Sequence, residues 1–238
     1  MCVDWRGLEA LAKRIHLPGF GDMARLMHET LKTKERYAAL GIDETIFYET
    51  MGTFKENVDE CILYDGEFLF YNESWIQRYV DCKIFKLGIL EFEMTELDTR
   101  YPEMCGLRGG DPVLSVHIPL GTVMTREALD DSYARARAFF PQYFPDFQTD
   151  WFLCSSWLLS PALKELLPEG SRILGFAADY TVTHHLENDI NYFPRVFHTR
   201  KAPNSISELP GDTTLRRNIK RYLMDGGKIG WTTGLMKF

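Results

Sequence analysis

The sequence predicts a mixed α/β protein of the α+β kind, in which a helical N-terminal domain precedes a mixed central sheet flanked by helices. Three observations carry this. Up to about residue 82, apolar residues recur at helical spacing behind capping residues. From residue 83 onward, runs of alternating and β-branched residues take over, separated by helical stretches. The stretch from Asp111 to Phe140 then reads as one strand–loop–helix unit: Val113, Leu114, Val116 and Ile118 are strand formers, Thr125 suits a helix cap, and Leu129, Tyr133, Ala136 and Phe140 follow at helical spacing. A chain of 238 residues with 45% hydrophobic content is long enough for a sizeable core.

In chain order, Asp4 can cap a helix whose Trp5, Leu8, Ala12 and Ile15 share a face, stopped by Pro18-Gly19. Asp22 can cap a second, with Met23, Leu26, Met27, Thr30 and Leu31 inward and Gly41 at its end. Thr53 to Glu56 and Ser74 to Gln77 both have the capping-box pattern. They introduce apolar faces at Phe54, Val58, Cys61 and Ile62 and at Trp75, Ile76, Tyr79 and Val80. Such periodic faces normally make cores rather than ligand sites. Residues 83–94 read as a strand, with Leu90, Phe92 and Met94 alternating against Glu91 and Glu93. Residues 98–112 form a Gly- and Pro-rich connection, and the strand–loop–helix unit follows, its exit marked by Pro141 and Pro145. Residues 151–155 read as a short buried strand, and Ser160-Pro161 as a helix start. Residues 172–186 read as a long strand paired with 192–199. Thr213 or Thr214 caps a helix with Leu215, Ile219, Tyr222 and Leu223 inward, ended by Gly226-Gly227, before a last strand over 228–237.

The composition excludes several classes. A net charge of −7 argues against nucleic acid as a partner, which calls for a basic excess. No apolar run approaches the roughly 20 residues of a membrane helix, and Asp4, Arg6, Glu9, Lys13 and Arg14 break up the N-terminus where a secretory signal would lie. The five cysteines are scattered, without a Cys-x-x-Cys pair, so neither structural zinc nor a disulfide framework is expected. A reducing cytoplasm fits this pattern. The expected state is a monomer or a homodimer.

The strand–loop–helix unit is the first candidate for binding chemistry. A helix N-terminus gathers unpaired backbone N–H groups and positive dipole, which suits a phosphate. Further candidates lie at predicted strand ends. His117 stands one residue before the loop and has the near-neutral pKa of a general base, or else it is a hydrogen-bonded sheet-face histidine. Cys154, Ser155 and Ser156 end the next strand, and Cys154 is a nucleophile candidate if His117 reaches it, or an inert buried thiol. Glu91 and Glu93 share one strand face, where solvated charges are the simple reading and a base acting through water the functional one. The pair His184-His185 with Glu187, Asp189 and His198 does not make a metal site, because neighbours on a strand point to opposite faces. Arg216, Arg217, Lys220 and Arg221 give the last helix a basic face, solvated or turned to a phosphate or an acidic substrate.

Five stretches carry a family resemblance: residues 85–93, Val116-His-Ile-Pro119, residues 134–140, Cys154-Ser-Ser-Trp-Leu-Leu-Ser-Pro161 and residues 209–215. The chain is similar to bacterial acyltransferase-domain proteins with an N-acyltransferase N-terminal domain and a GNAT-like C-terminal domain, from about Gly41 to the end. The resemblance implies domains at 1–82 and 83–238, a GNAT-type sheet, and acyl transfer from acyl-CoA to a small amine. Acyl-CoA would be a cosubstrate, with no permanently bound cofactor and no metal. GNAT enzymes hold the CoA pyrophosphate on an Arg/Gln-x-x-Gly-x-Gly/Ala loop. Here that loop is Pro119-Leu-Gly-Thr-Val-Met124, with one glycine, and Arg108-Gly109-Gly110 lies before the strand. The resemblance assigns CoA binding to Leu120, Gly121, Thr122, Val123 and Thr125. The residues themselves put forward His117 as base, with Cys154, Ser155 and Glu93 as further catalytic candidates. A GNAT-like scaffold that binds a small molecule or a protein without transfer is the alternative, and a hydrolase or transferase using Cys154 a third reading.

Overall fold

The computed structural model describes residues 4–200 and 203–238; Cys2 lies outside them. Five helices come first: α1 (Trp5–Arg14), α2 (Phe20–Leu40), α3 (Glu44–Met51), α4 (Thr53–Asp65) and α5 (Glu73–Val80). Asp4 caps α1 by accepting from the Gly7 N–H, and Gly41 closes α2 in the left-handed conformation. The N-cap of α2 is Gly19, with Asp22 in its first turn, and Asp43 caps an α3 that the apolar spacing did not announce. Thr53 and Ser74 sit inside their helices, behind Gly52 and Asn72, so neither heads a capping box. Leu26, Phe54, Phe70, Ile76 and Val80 make a core of the helical part itself.

The sheet has six strands: β1 (Ile84–Leu87), β2 (Leu90–Glu96), β3 (Pro112–His117), β4 (Trp151–Ser156), β5 (Thr181–Leu186) and β6 (Trp231–Lys237), in the order β1-β2-β3-β4-β6-β5. Among the described residues, only β3 and β4 run parallel. Helix α6 (Arg126–Tyr143), capped by the Thr125 side chain, makes the crossover that a parallel pair needs. Leu129, Tyr133, Ala136 and Phe140 of α6 pack on Phe92, Leu114, Val116 and Phe152 of the sheet. Pro141 lies within the last turn of α6 rather than beyond it.

Three predicted strands are corrected. Residues 83–94 make a hairpin, because Gly88 turns the chain at φ +72°, where an added Cβ would meet the Ser132 hydroxyl at 2.4 Å. Residues 172–186 divide into α8 (Arg172–Ala177) and β5, and 192–199 holds α9 (Phe193–Phe197). Short apolar runs do not separate strand from buried helix; here Tyr192 with Val196 and Phe193 with Phe197 repeat at four residues. Two 3-10 turns (Trp157–Leu159 and Ile206–Glu208), the short α7 (Leu163–Leu166) and α10 (Thr214–Met224) complete the described elements, with Thr213 capping α10. The basic residues of α10 hold its approach loop: Lys220 donates to the carbonyls of Ser207 and Leu209, and Arg217 to those of Gly211 and Asp212.

Candidate active site

Strand alternation divides the sheet into two faces. Leu90, Phe92, Leu114 and Val116 face α6, and Glu91, Glu93, Ser115 and His117 face the other way. The simple reading of Glu91 and Glu93 as solvated charges does not hold: they are only 4% and 5% exposed. Helix α5 covers them. Arg78 of α5 donates to both Glu93 oxygens at 2.7 and 2.8 Å, and Tyr79 donates to Glu91 Oε2 at 2.7 Å. The Trp75 ring meets the His117 ring edge-on at 4.8 Å between centroids, while the Arg78 guanidinium lies 3.8 Å over Trp75.

His117 is thereby fixed. Its Nε2 lies 2.9 Å from Glu93 Oε2. An ionised carboxylate only accepts, so Nε2 carries the proton and Nδ1 keeps the lone pair. Burial pushes Glu93 up, but the hydrogen bond and charge of His117 and the charge of Arg78 outweigh it and hold the carboxyl below its ordinary value. Burial pulls His117 below 6.5 in spite of the Glu93 carboxylate. At pH 7 the pair is therefore a neutral imidazole on a carboxylate, the arrangement that makes a histidine a base. Glu91 differs. Burial pushes it up to about 7 against the Tyr79 hydrogen bond, and its Oε1 has no hydrogen-bond partner.

Strands β3 and β4 are in register from Leu114 and Phe152 to Val116 and Cys154, while β4 stays paired with β6 as far as Ser156 and Thr232. The first two strands therefore part at His117 and Ser155. Ser155 shares the His117 face; it accepts from Trp231 Nε1 at 2.9 Å and lies 2.9 Å from the Thr233 hydroxyl, which meets Tyr101 at 3.1 Å. Ser156 caps the 3-10 turn at the Leu158 N–H. Cys154 is opposite Val116 and shares its face, away from His117. It is fully buried, and burial pushes its thiol far above the ordinary value. Of the two readings of Cys154, the inert buried thiol is the one this placement fits, because one residue along a strand exchanges faces and His117 does not reach it.

A cavity of about 410 Å³ opens over this face. His117, Glu91, Trp75, Tyr79 and Ser155 line it, together with Glu56, Glu60, Arg195 and Trp231, which sequence periodicity did not single out. Trp75 and Tyr79 did register in the sequence, as core positions of a helical face. What hides them as site residues is that only the sheet beneath α5 turns such a face into a site wall. Among the described residues, no group of His, Cys, Asp and Glu is placed to hold a metal ion, and no helix is long and apolar enough to cross a membrane. Cys61, Cys82, Cys105 and Cys154 are free thiols.

The loop from β3 to α6 leaves the same corner. Gly121 turns it at φ +79°, with open space where a Cβ would stand. Thr122 is tied back to the Pro119 carbonyl through its N–H at 3.3 Å and its hydroxyl at 2.6 Å. Thr125 caps Ala128, which leaves the first-turn N–H groups of Arg126 and Glu127 for an anion. Leu120 and Val123 are exposed. A second cavity, about 450 Å³, lies beside this helix start, lined by Met124, Arg126, Arg172, Leu174 and Phe176. The Arg126 guanidinium is paired with Asp179 and Asp130.

Comparisons with known proteins meet this geometry. No curated protein matches the chain. Among solved structures, it is similar to an acyltransferase in complex with decanoyl-CoA, with 28% identity and a TM-score of 0.77 over 88% of this chain and 63% of that one. It is likewise similar to an acyltransferase in complex with decanoyl-CoA and teicoplanin, with 26% identity and a TM-score of 0.78 over 89% and 64%. A mutant acyltransferase with octanoyl-CoA gives 25% identity and a TM-score of 0.81 over 92% and 66%. The chain thus spans a little under two thirds of the length of these structures. Residues 22–82 match the N-acyltransferase N-terminal domain, and residues 84–236, well over half the chain, match the GNAT-like C-terminal domain. The polar sheet face, the parting strands and the helix start behind them therefore belong to a member of the GNAT-like C-terminal domain family.

Proposed function

We propose that this protein is an N-acyltransferase that moves an acyl group from acyl-CoA to a small amine, with no permanently bound cofactor. One observation carries the reading: His117, held by Glu93, stands where β3 and β4 part, and the cavity there is continuous with the sheet face under α5. In this reading residues 83–238 bind acyl-CoA and residues 1–82 cover the acceptor side. The pyrophosphate sits on the free N–H groups at the start of α6, with Leu120, Gly121, Thr122, Val123 and Thr125 shaping the loop. The thioester lies in the gap between the strands. His117 Nδ1 removes a proton from the attacking nitrogen and delivers it to the leaving sulfur. Glu93 stabilises the imidazolium that forms between those events. Ser155, fixed by Trp231 and Thr233, presents its hydroxyl at the opposite wall. The solved relatives that contain decanoyl-CoA or octanoyl-CoA support a medium-length acyl donor.

The test is calorimetric titration with octanoyl-CoA and decanoyl-CoA, followed by thiol release with a panel of amines. Binding is expected to weaken when Gly121 is replaced by a bulky residue, and His117→Ala should lose about 100-fold or more in rate while still binding. Absence of binding to any acyl-CoA by the parent removes the proposal. The loop favours a second reading, a binding module without transfer, because its single glycine departs from the Arg/Gln-x-x-Gly-x-Gly/Ala pattern of GNAT enzymes. Acyl-CoA binding without CoA release for any amine selects that reading.

A further inference from the structure

The acceptor side of the cavity is acidic. Glu56, Glu60 and Glu91 all line it. Lys86 pairs with Glu56, and Arg195 lies 3.8 Å from Glu60. Among the described residues no cation pairs with Glu91; Lys86 stands opposite it across the β1–β2 ladder, but its ammonium is engaged by Glu56. The partner of Glu91 is the neutral Tyr79 hydroxyl, and among the described residues nothing bonds to Oε1. A buried carboxylate oxygen left without a donor costs free energy unless something outside the chain meets it. Glu91 is also the cross-strand partner of His117 in the β2–β3 register, so the two side chains stand beside each other on one face.

Acyl transfer to an amine removes two protons from nitrogen. At neutral pH the acceptor arrives as an ammonium, whose N–H bond must break before the lone pair can attack. A second proton leaves the nitrogen after the C–N bond forms. Only one of these is needed by the departing thiolate. A single histidine that gives its proton to sulfur accounts for one and leaves the other without a carrier.

We propose that Glu91 binds the acceptor's ammonium through Oε1 and takes its first proton, leaving the second to His117. The proposal rests on the acyl-transfer reading and adds the charge state of the substrate that this site takes, a protonated alkylamine. In the first step an N–H bond breaks and a Glu91 O–H bond forms, freeing the nitrogen lone pair. The nitrogen attacks the thioester carbon, the C–S bond breaks, and His117 carries the second proton to sulfur. Glu91 then releases its proton to water in the cavity, so amide, free CoA thiol and one proton are the products. The groups facing Glu91 suit this proton transfer. Tyr79 of α5 fixes one oxygen, Glu56 of α4 disfavours its ionisation, Lys86 of β1 favours it, and His117 of β3 is neutral. With burial foremost, these hold the carboxyl near pH 7, where it takes and returns a proton readily.

The experiment uses matched pairs of acceptors: an alkylamine, charged at pH 7, and the O-alkylhydroxylamine of the same length, which is uncharged. Parent, Glu91→Gln and Tyr79→Phe proteins are compared for octanoyl-CoA-dependent thiol release across pH. Glu91→Gln is expected to lose about 100-fold with the alkylamine and stay within a few-fold of the parent with the hydroxylamine. Tyr79→Phe, which keeps the carboxyl but removes the hydrogen bond that favours its ionisation, should move the acid limb of the alkylamine profile to higher pH and leave the hydroxylamine profile in place. Equal losses with both acceptors in Glu91→Gln, or an unmoved limb in Tyr79→Phe, overturn the role of Glu91. A parent that releases CoA with neither acceptor overturns the acyl-transfer reading instead.

Discussion

Glu91 and Glu93 are two residues apart on one strand and burial pushes both up, yet their net shifts run in opposite directions. Glu93 has Arg78 and His117, and stays ionised. Glu91 has one neutral donor, and its carboxyl rises to about 7. The consequence for stability has a definite sign. Between about 4.5 and 7, folded Glu91 holds a proton that the unfolded chain has released, so stability falls as pH rises through that window. Two to three pKa units at ~1.4 kcal/mol each make the full effect about 3 kcal/mol. Urea unfolding of Glu91→Gln should therefore show a gain over the parent at pH 8 that shrinks toward zero at pH 5. A gain independent of pH counts against a proton on Glu91. For His117 the check is its ring titration by NMR: a midpoint below 6.5 in the parent, and lower still in Glu93→Gln, because the carboxylate is what holds the imidazole's basicity up against burial.

At the scale of elements, α5 matters most. It is eight residues long, yet Trp75, Arg78 and Tyr79 each meet a polar group on the sheet. Arg78→Ala leaves Glu93 buried without its cation and should cost about 3 kcal/mol in urea unfolding, a loss that Arg78→Lys recovers in part. In the β1–β2 hairpin, Gly88→Ala forces a side chain into a left-handed turn against Ser132, and should cost about 2 kcal/mol. Much at this scale was legible in the sequence. Asp4 and Thr125 cap the helices they were expected to cap, Thr213 rather than Thr214 caps the last one, and β3, β4, β6 and α6 follow the pattern of their residues. The errors have a common origin. Alternating Glu91 and Glu93 signal a strand face turned toward water, and no local pattern says that a helix from residues 73–80 lies over it. Cys154 stands next to Ser155 in sequence, but the pleat sends them to opposite sides. His117 was readable because a strand end before a loop is a local feature, whereas its partners Glu93, Arg78 and Trp75 come together only in three dimensions.

For the molecule as a whole, the site is an interface between the helical part and the sheet. A fragment of residues 83–238 uncovers Glu91, Glu93 and His117 and removes the part of the cavity wall made by α4 and α5. It should bind the dye ANS and unfold with reduced cooperativity, while adding back residues 1–82 as a separate chain should reverse both if the two parts are independent units. The His117 ring in the fragment should titrate higher than in the intact chain, since the burial that lowers it is gone while the Glu93 carboxylate beside it remains.

The strand order β4-β6-β5 adds something that the finished fold does not display. β6 lies between two strands that are synthesised before it. Until residues 231–237 have been made, β5 has no neighbour to join and β4 has an open edge. A growing chain therefore spends the whole interval after β4 with one edge of that apolar strand open, the condition under which nascent proteins aggregate or need chaperones. The same seven residues bring Trp231 and Thr233 to Ser155. The closing of the sheet and the completion of the wall facing His117 are one late event, and slow folding limited by that distant pairing is the cost of setting a late strand into the middle of the sheet.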